Sequence, residues 1–230
     1  MSFIKCFFGV MGMITGFSVS FYPSSAQTII SVLTQTILPK DEYCHEYKTQ
    51  HEWQIQGFPI IVLVDNGMDY RSKDLKEFCV KYDIILEFVP MRTPKYKGYI
   101  EQWFNVLRNA IQREDVPGYR PSLKRRLENR FLDPESDAAF TLIEIETWLY
   151  QWIIDDHHFS NPYDNHVQAP FLKLRNSCEG KTALYFPKPR EPPVEKWERD
   201  TLYLSQLTSL RRTLRKDGIE WEYLKYHSKE

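Results

Sequence analysis

The chain has 230 residues, 42% of them apolar and 15% aromatic, enough to bury a sizeable core; this excludes a disordered protein and suggests one large domain with a small appendage. With 30 Lys and Arg against 31 Asp and Glu the net charge is −1, so no whole-molecule field draws nucleic acid and any such contact has to be local. The four cysteines (Cys6, Cys44, Cys79 and Cys178) lack Cys-x-x-Cys spacing, which argues against a disulfide framework and against zinc: neither Cys44 with His45 nor His157 and His158 with Cys178 supplies a second close pair.

Residues 1–26 hold one Lys near the start, an apolar run from Cys6 to Tyr22 and the small residues Ser24-Ser25-Ala26, as a secretory signal does. Gly9, Gly12 and Gly16 interrupt that run, and residues 13–21 alternate apolar with small or polar side chains in the manner of a half-buried strand. The strand reading is preferred. The run is also marginal for a membrane span, so a cytoplasmic protein without membrane attachment is expected, with a secreted or anchored one as the rival.

Pro23-Ser24-Ser25 then opens a helix whose apolar groups Ile29, Ile30, Val32, Leu33, Ile37 and Leu38 recur at helical spacing up to Pro39. Residues 40–58 are polar and mixed, a connecting segment. Pro59 opens a short β-branched run, 60–64, suited to a buried strand, and Asp65-Asn66-Gly67 ends it in a turn. An amphipathic helix over 72–82 and a second strand over 84–89 follow, a strand-helix-strand unit of the kind that builds parallel sheets.

Residues 90–97 form a loop with two prolines and the cations Arg92, Lys95 and Lys97; Gly98 precedes a periodic helix with Ile100, Trp103, Phe104, Leu107 and Ile111 on one face. Glu101, Asn105, Arg108 and Gln112 fall on the other. Beyond them lies a basic cluster, Arg120, Lys124, Arg125, Arg126 and Arg130, equally readable as a solvated loop or a DNA contact. Thr141-Leu142-Ile143-Glu144 is a capping-box start for a helix running to about Asp156. Four prolines within 187–193 mark an extended linker, and a turn at Asp217-Gly218 between short strands is expected in the tail.

Two carboxylates stand out: Asp65 directly after a strand and Glu101 on a helix, 35 residues lying between them. In-line displacement at phosphorus needs charge neutralisation and an activated nucleophile, which two Mg²⁺ ions about 3.5–4 Å apart supply when a few carboxylates converge on them. Asp65 and Glu101 could hold one such ion together with a third carboxylate. Alone, Asp-Asn-Gly is a common turn and Glu101 a solvated helix position; the strand before one and the Pro-x-x-Lys-Gly-x-x-Glu element before the other favour a site. Lys95 and Lys97 would contact backbone phosphates.

With these residues the chain resembles bacterial transposases of the retroviral-integrase superfamily, of the phage Mu transposase and heteromeric-transposon B-subunit type. Gly16-Phe17-Ser18-Val19-Ser20-Phe21 with Pro23-Ser24-Ser25 resembles that family's second strand and following helix start; Thr36-Ile37-Leu38-Pro39-Lys40, residues 148–165 and residues 212–226 match further along. The resemblance implies an α/β fold, an RNase H-like mixed sheet flanked by helices and followed by a partial small β-barrel. It divides the chain into an integrase-like core over 1–135, a helical extension over 136–186, the linker 187–193 and a truncated barrel over 194–230. It further implies Mg²⁺ dependence, metal-binding catalytic Asp65 and Glu101, and DNA contacts by Arg92, Lys95, Lys97 and Arg108. Strand transfer of transposon ends is the implied reaction, with DNA as substrate, homo-oligomers as the working form and an ATPase target selector as partner. The family's first catalytic Asp sits on the strand before Gly16, where this chain reads Phe8-Gly9-Val10-Met11-Gly12, so an incomplete copy with impaired strand transfer is expected. The alternative is a non-catalytic remnant that binds DNA or co-assembles with an intact transposase.

Overall fold

A computed structural model describes residues 3–8, 12–23, 25–90, 94–113, 140–160, 168–180, 189–207, 213, 218–221 and 224–226. The chain opens with strands β1 (Phe3–Phe8) and β2 (Ile14–Ser20), paired antiparallel with Phe3 opposite Ser20 and Phe7 opposite Gly16. Helix α1 (Ala26–Ile37) starts where the Ser25 hydroxyl accepts the Thr28 N–H, and its apolar stripe is buried as its spacing requires. A short helix, α2 (Asp41–Glu46), occupies part of the stretch expected to be a plain connection.

Strand β3 (Ile61–Val64), a 3₁₀ turn (Met68–Arg71), helix α3 (Lys73–Lys81) and strand β4 (Ile85–Phe88) form the expected strand-helix-strand unit. The two strands run parallel with Ile61 opposite Ile85. Helix α4 (Pro94–Arg113) begins earlier than expected, so Lys95 and Lys97 belong to its first turn and not to a loop. Proline at a helix start supplies the φ the first turn needs and forfeits no bonded N–H, which is why it opens the helix here. After it come α5 (Leu142–Gln151) with a π-helical turn (Trp152–His157), α6 (Pro170–Cys178), α7 (Lys196–Leu204), and the strands β5 (Ile219–Trp221) and β6 (Leu224–Tyr226).

Two apolar clusters hold these elements. In the first, Ile14, Phe17 and Val19 of β2 meet Trp53, the α4 residues Trp103, Val106, Leu107 and Ala110, and the α5 end with its π turn from Leu149 to Ile154. In the second, Ile29, Ile30, Leu33 and Ile37 of α1 pack with Val62 and Val64 of β3, Leu75, Phe78 and Cys79 of α3, and Leu202 of α7. Glycine is required at two closures. A Cβ on Gly16 would lie 2.6 Å from the Val32 carbonyl oxygen, and Gly57 has φ +113 with a Cβ position 2.3 Å from the Arg190 oxygen. The second lets Phe58 and Arg190 exchange backbone hydrogen bonds of 2.9 and 3.1 Å, pinning the proline-rich stretch at Arg190.

The arrangement is α/β, sheets with helices packed on them in a manner resembling an RNase H-like fold, but the expected fold class needs correction. Among the described residues the strands make three separate two-stranded sheets, and none closes into a barrel. The reason lies in the period of the tail's apolar residues: Leu202, fully buried against α1 and α3, is carried by a helix. Among the described residues of the tail, what remains is one hairpin of three-residue strands, too short and too few to close. The turn expected at Asp217-Gly218, with a strand before it, falls largely outside the described residues.

Candidate functional site

Alternation along β3 buries Val62 and Val64 and leaves Ile61 and Leu63 half exposed; the next residue on that outer face is Asp65, also exposed. Its Oδ1 accepts the Gly67 N–H at 2.9 Å, so the carboxylate caps its own turn. Asn66 points the other way. Its Nδ2 donates to the Val89 carbonyl at 2.8 Å, and its Oδ1 accepts from Arg71 Nη2 at 3.0 Å, while the Arg71 guanidinium lies 5.8 Å from the Phe88 ring centre. The exits of β3 and β4 are therefore tied side chain to backbone, in addition to the Val89 N–H bond to the Val64 oxygen at 2.8 Å.

Glu101 sits about two turns into α4, exposed, on the face opposite buried Trp103, Val106 and Leu107. Arg108 is exposed on the same helix, and its Nη1 donates to Asn105 Oδ1 at 3.2 Å. Lys95 and Lys97 stand in the helix's first turn, which holds no acidic residue, so their charges add to the positive end of the helix dipole. Arg92 and the basic cluster 120–130 lie outside the described residues. Glu87 of β4, paired with Leu63, is exposed beside Asp65's face and was not singled out from the sequence; it becomes visible only once the register is known. Asn66 and Arg71 escaped notice for the same reason, since their partners are 23 and 5 residues away in the chain.

Mg²⁺ takes hard oxygen donors converging from several elements. Among the described residues no group of three or more His, Cys, Asp or Glu stands where it could share an ion, and β1, of sequence FIKCFF, brings no carboxylate. These donors do not make a complete Mg²⁺ site, and no chemical step is routed through one here. Cys44, Cys79 and Cys178 are free thiols, and burial pushes Cys79 up to about 11. No helix among the described residues is long and apolar enough to cross a membrane.

Residues 9–118 match the family model described as the TnsB C-terminal domain. Over 216 residues the chain is 28% identical to the transposase for transposon Tn552 of Staphylococcus aureus, an alignment covering 93% of this chain and 38% of that protein. The similarity is distant and runs over nearly all of this chain, which spans well under half the length of that transposase. Two solved structures align at TM-scores too low to carry an argument. The simian T-cell lymphotropic virus intasome in complex with PP2A regulatory subunit B56 gamma gives 0.38, at 13% identity over 84% of this chain and 57% of that one. The HTLV-2 integrase catalytic core domain in complex with magnesium gives 0.36, at 13% identity over 74% and 91%.

Proposed function

We propose that this chain is a transposase core that engages DNA and co-assembles with other transposase subunits, and that it does not perform strand transfer alone. The observation that carries the reading is a connectivity: a parallel strand pair exits at Asp65 and Val89, and within five residues of Val89 the chain enters a helix bearing Lys95, Lys97 and Glu101. Two lysines in the first turn reinforce the helix dipole instead of opposing an acid there, an arrangement that favours phosphate. In this reading Lys95, Lys97, Arg92 and Arg108 attach to the DNA backbone. Asp65 and Glu101 are the two carboxylates of the family's ligand set that the chain retains. They would need a third carboxylate to hold an ion, which would then supply charge neutralisation at a phosphoryl group.

Residues 1–135 then form the core unit, 136–186 a helical extension and 187–193 its connection to the tail. Its partners are DNA, further copies of the chain or an intact transposase, and an ATPase that selects targets. The test is a strand-transfer assay with Mg²⁺ on DNA carrying transposon ends, beside a DNA-binding titration. Binding without joined products is expected from the chain alone, with joining unaffected by Glu101→Gln because there is none to lose. Mg²⁺-dependent joining abolished by Glu101→Gln would replace this reading with that of a self-sufficient recombinase.

A further inference from the structure

We propose that His51 forms a stacking site for an unpaired nucleobase, apart from the carboxylates and cations of the proposed core. The proposal rests on the DNA-binding reading given above and names residues to which that reading assigns no part. His51 lies between α2 and β3 with its side chain 43% exposed. An imidazole so placed is ordinarily free to turn, yet this one is held from two directions. Its Nδ1 donates to Asp155 Oδ1 at 3.1 Å, a carboxylate being able only to accept, and its ring lies on that of Phe159 with centres 4.0 Å and planes 28° apart. Phe159 in turn lies 4.7 Å from the ring of Phe171 on α6, and the Arg175 guanidinium stands 6.0 Å from the Phe171 ring centre. The row runs from a cation through two half-buried rings to His51. Among the described residues Phe159 is the one ring that stacks on His51, which leaves the other imidazole face to solvent.

The loop does not need the imidazole to close. Asp155 already accepts the Gln50 N–H at 2.9 and 3.0 Å and the His51 N–H at 2.9 Å. What the Nδ1 bond and Phe159 add is a fixed plane for the ring, and a partly exposed pair of this kind adds little to stability. A preoriented ring with one open face suits a nucleobase, since every base has a π face; the base has to be unpaired, because a duplex offers only base edges. Glu52 and Asp156, exposed and next in sequence to His51 and Asp155, disfavour a phosphate here, so the base and not the backbone is the group bound.

The test titrates the full-length chain, at fixed salt, with three DNAs built on one duplex sequence: blunt, with a single-stranded extension of adenines, and with the same extension lacking its bases. The two extensions carry equal numbers of phosphates, so their affinity ratio reads stacking alone. Wild type is expected to favour the adenine extension by about fivefold or more, as one stacked base does. His51→Ala brings the ratio close to one, whereas His51→Phe keeps an aromatic face and retains most of it. A purely structural role for His51 predicts otherwise, a lowered urea midpoint with the ratio unmoved. A ratio near one in wild type, one that survives His51→Ala, or one lost equally in His51→Phe would overturn the stacking site, and continued binding of the blunt duplex would leave the DNA reading standing. Absence of binding to all three DNAs would overturn the DNA reading and the site with it. Should His51→Ala fail to fold, His51→Gln takes its place, keeping a side-chain N–H for Asp155 without an aromatic face, and the ratio near one is expected of it too.

Discussion

Lys40 is 1% exposed, an unusual place for an ammonium group. Its Nζ donates to the carbonyls of Thr36 at 3.2 Å and Leu38 at 3.4 Å and to that of Ile55, and it lies 5.1 Å from the Trp53 ring centre. The side chain thereby closes the C-terminal end of α1, where helix carbonyls lack partners of their own and no basic residue occupies the last turn. Loss of hydration pulls its pKa from 10.5 down to about 7, the nearby Cys44 opposing the fall. Between those two values the unfolded chain keeps a proton that the folded chain has released, so the stability contributed at this position rises with pH across that window and is lowest below pH 7. Urea unfolding at pH 6, 7.5 and 9 is expected to show the rise, and Lys40→Met to flatten it; an unchanged slope in the variant would place the titration elsewhere. His157 and His158 act in the same sense at lower pH. His158 Nε2 accepts the Ile14 N–H at 3.0 Å, which only an unprotonated nitrogen can do, and burial brings His157 to about 4 and His158 well below its ordinary value. Unfolded histidines bind protons near 6.5, so stability is expected to fall as pH drops from 6.5 toward 4, and His158→Phe, which cannot charge, to lessen that fall even though it leaves the Ile14 N–H without its acceptor.

At the scale of elements, β2 packs tightly against α1. Gly16 has ordinary backbone angles, but a Cβ would meet the Val32 oxygen at 2.6 Å, Thr36 Oγ1 at 2.8 Å and Gln35 Oε1 at 3.2 Å. Gln35 cannot retreat freely, because its Oε1 accepts the Phe17 N–H at 2.7 Å and its Nε2 donates to Tyr150 Oη at 2.5 Å. Gly16→Ala is therefore expected to cost about 1–3 kcal/mol, the range of an overpacked interior, read as a lowered urea midpoint; an unchanged midpoint would mean that helix and strand are not held this closely. Much of this level was legible beforehand. The Thr141 box forms as spelled, Glu144 N–H donating to Thr141 Oγ1 at 3.3 Å and Thr141 N–H to Glu144 Oε2 at 2.7 Å, because all its partners lie within four residues. The apolar faces of α1 and α4 and the β3–α3–β4 unit follow from local period in the same way. What the sequence concealed depends on distant partners: α7 reads as part of a β-rich tail until Leu202 has a core to enter, and Pro94 reads as a loop residue until a helix begins at it. At the site, local pattern placed Asp65 on a strand exit and Glu101 on an exposed helix face. The Asn66–Val89 bond and the company of Glu87 needed the register.

For the whole molecule the governing fact is a charge balance near zero, 30 cations to 31 acids. Such a chain gains nothing from a long-range field, so the hold on DNA proposed for it has to come from a few cations gathered at one place, and every one counts. The exposed faces of β3 and β4 make the balance more demanding, since Asp65 and Glu87 stand there and repel a phosphate brought to the sheet edge. Among the described residues of the proposed site, Lys95 and Lys97 in the first turn of α4 and Arg108 further along the same helix offset them. Each phosphate neutralised on duplex DNA contributes roughly 0.9 to the slope of log affinity against log salt. Replacing Lys95 and Lys97 by alanine is accordingly expected to reduce the magnitude of that slope by about 1.8, read from a salt titration of duplex binding. Asp65→Asn keeps an Oδ1 for the Gly67 N–H and removes a repelling charge, so it binds DNA at least as tightly as wild type in EDTA. If it bound more weakly in Mg²⁺ than wild type did, the carboxylate would be acting through an ion, and the third ligand would have to be sought outside the described residues or on a partner chain.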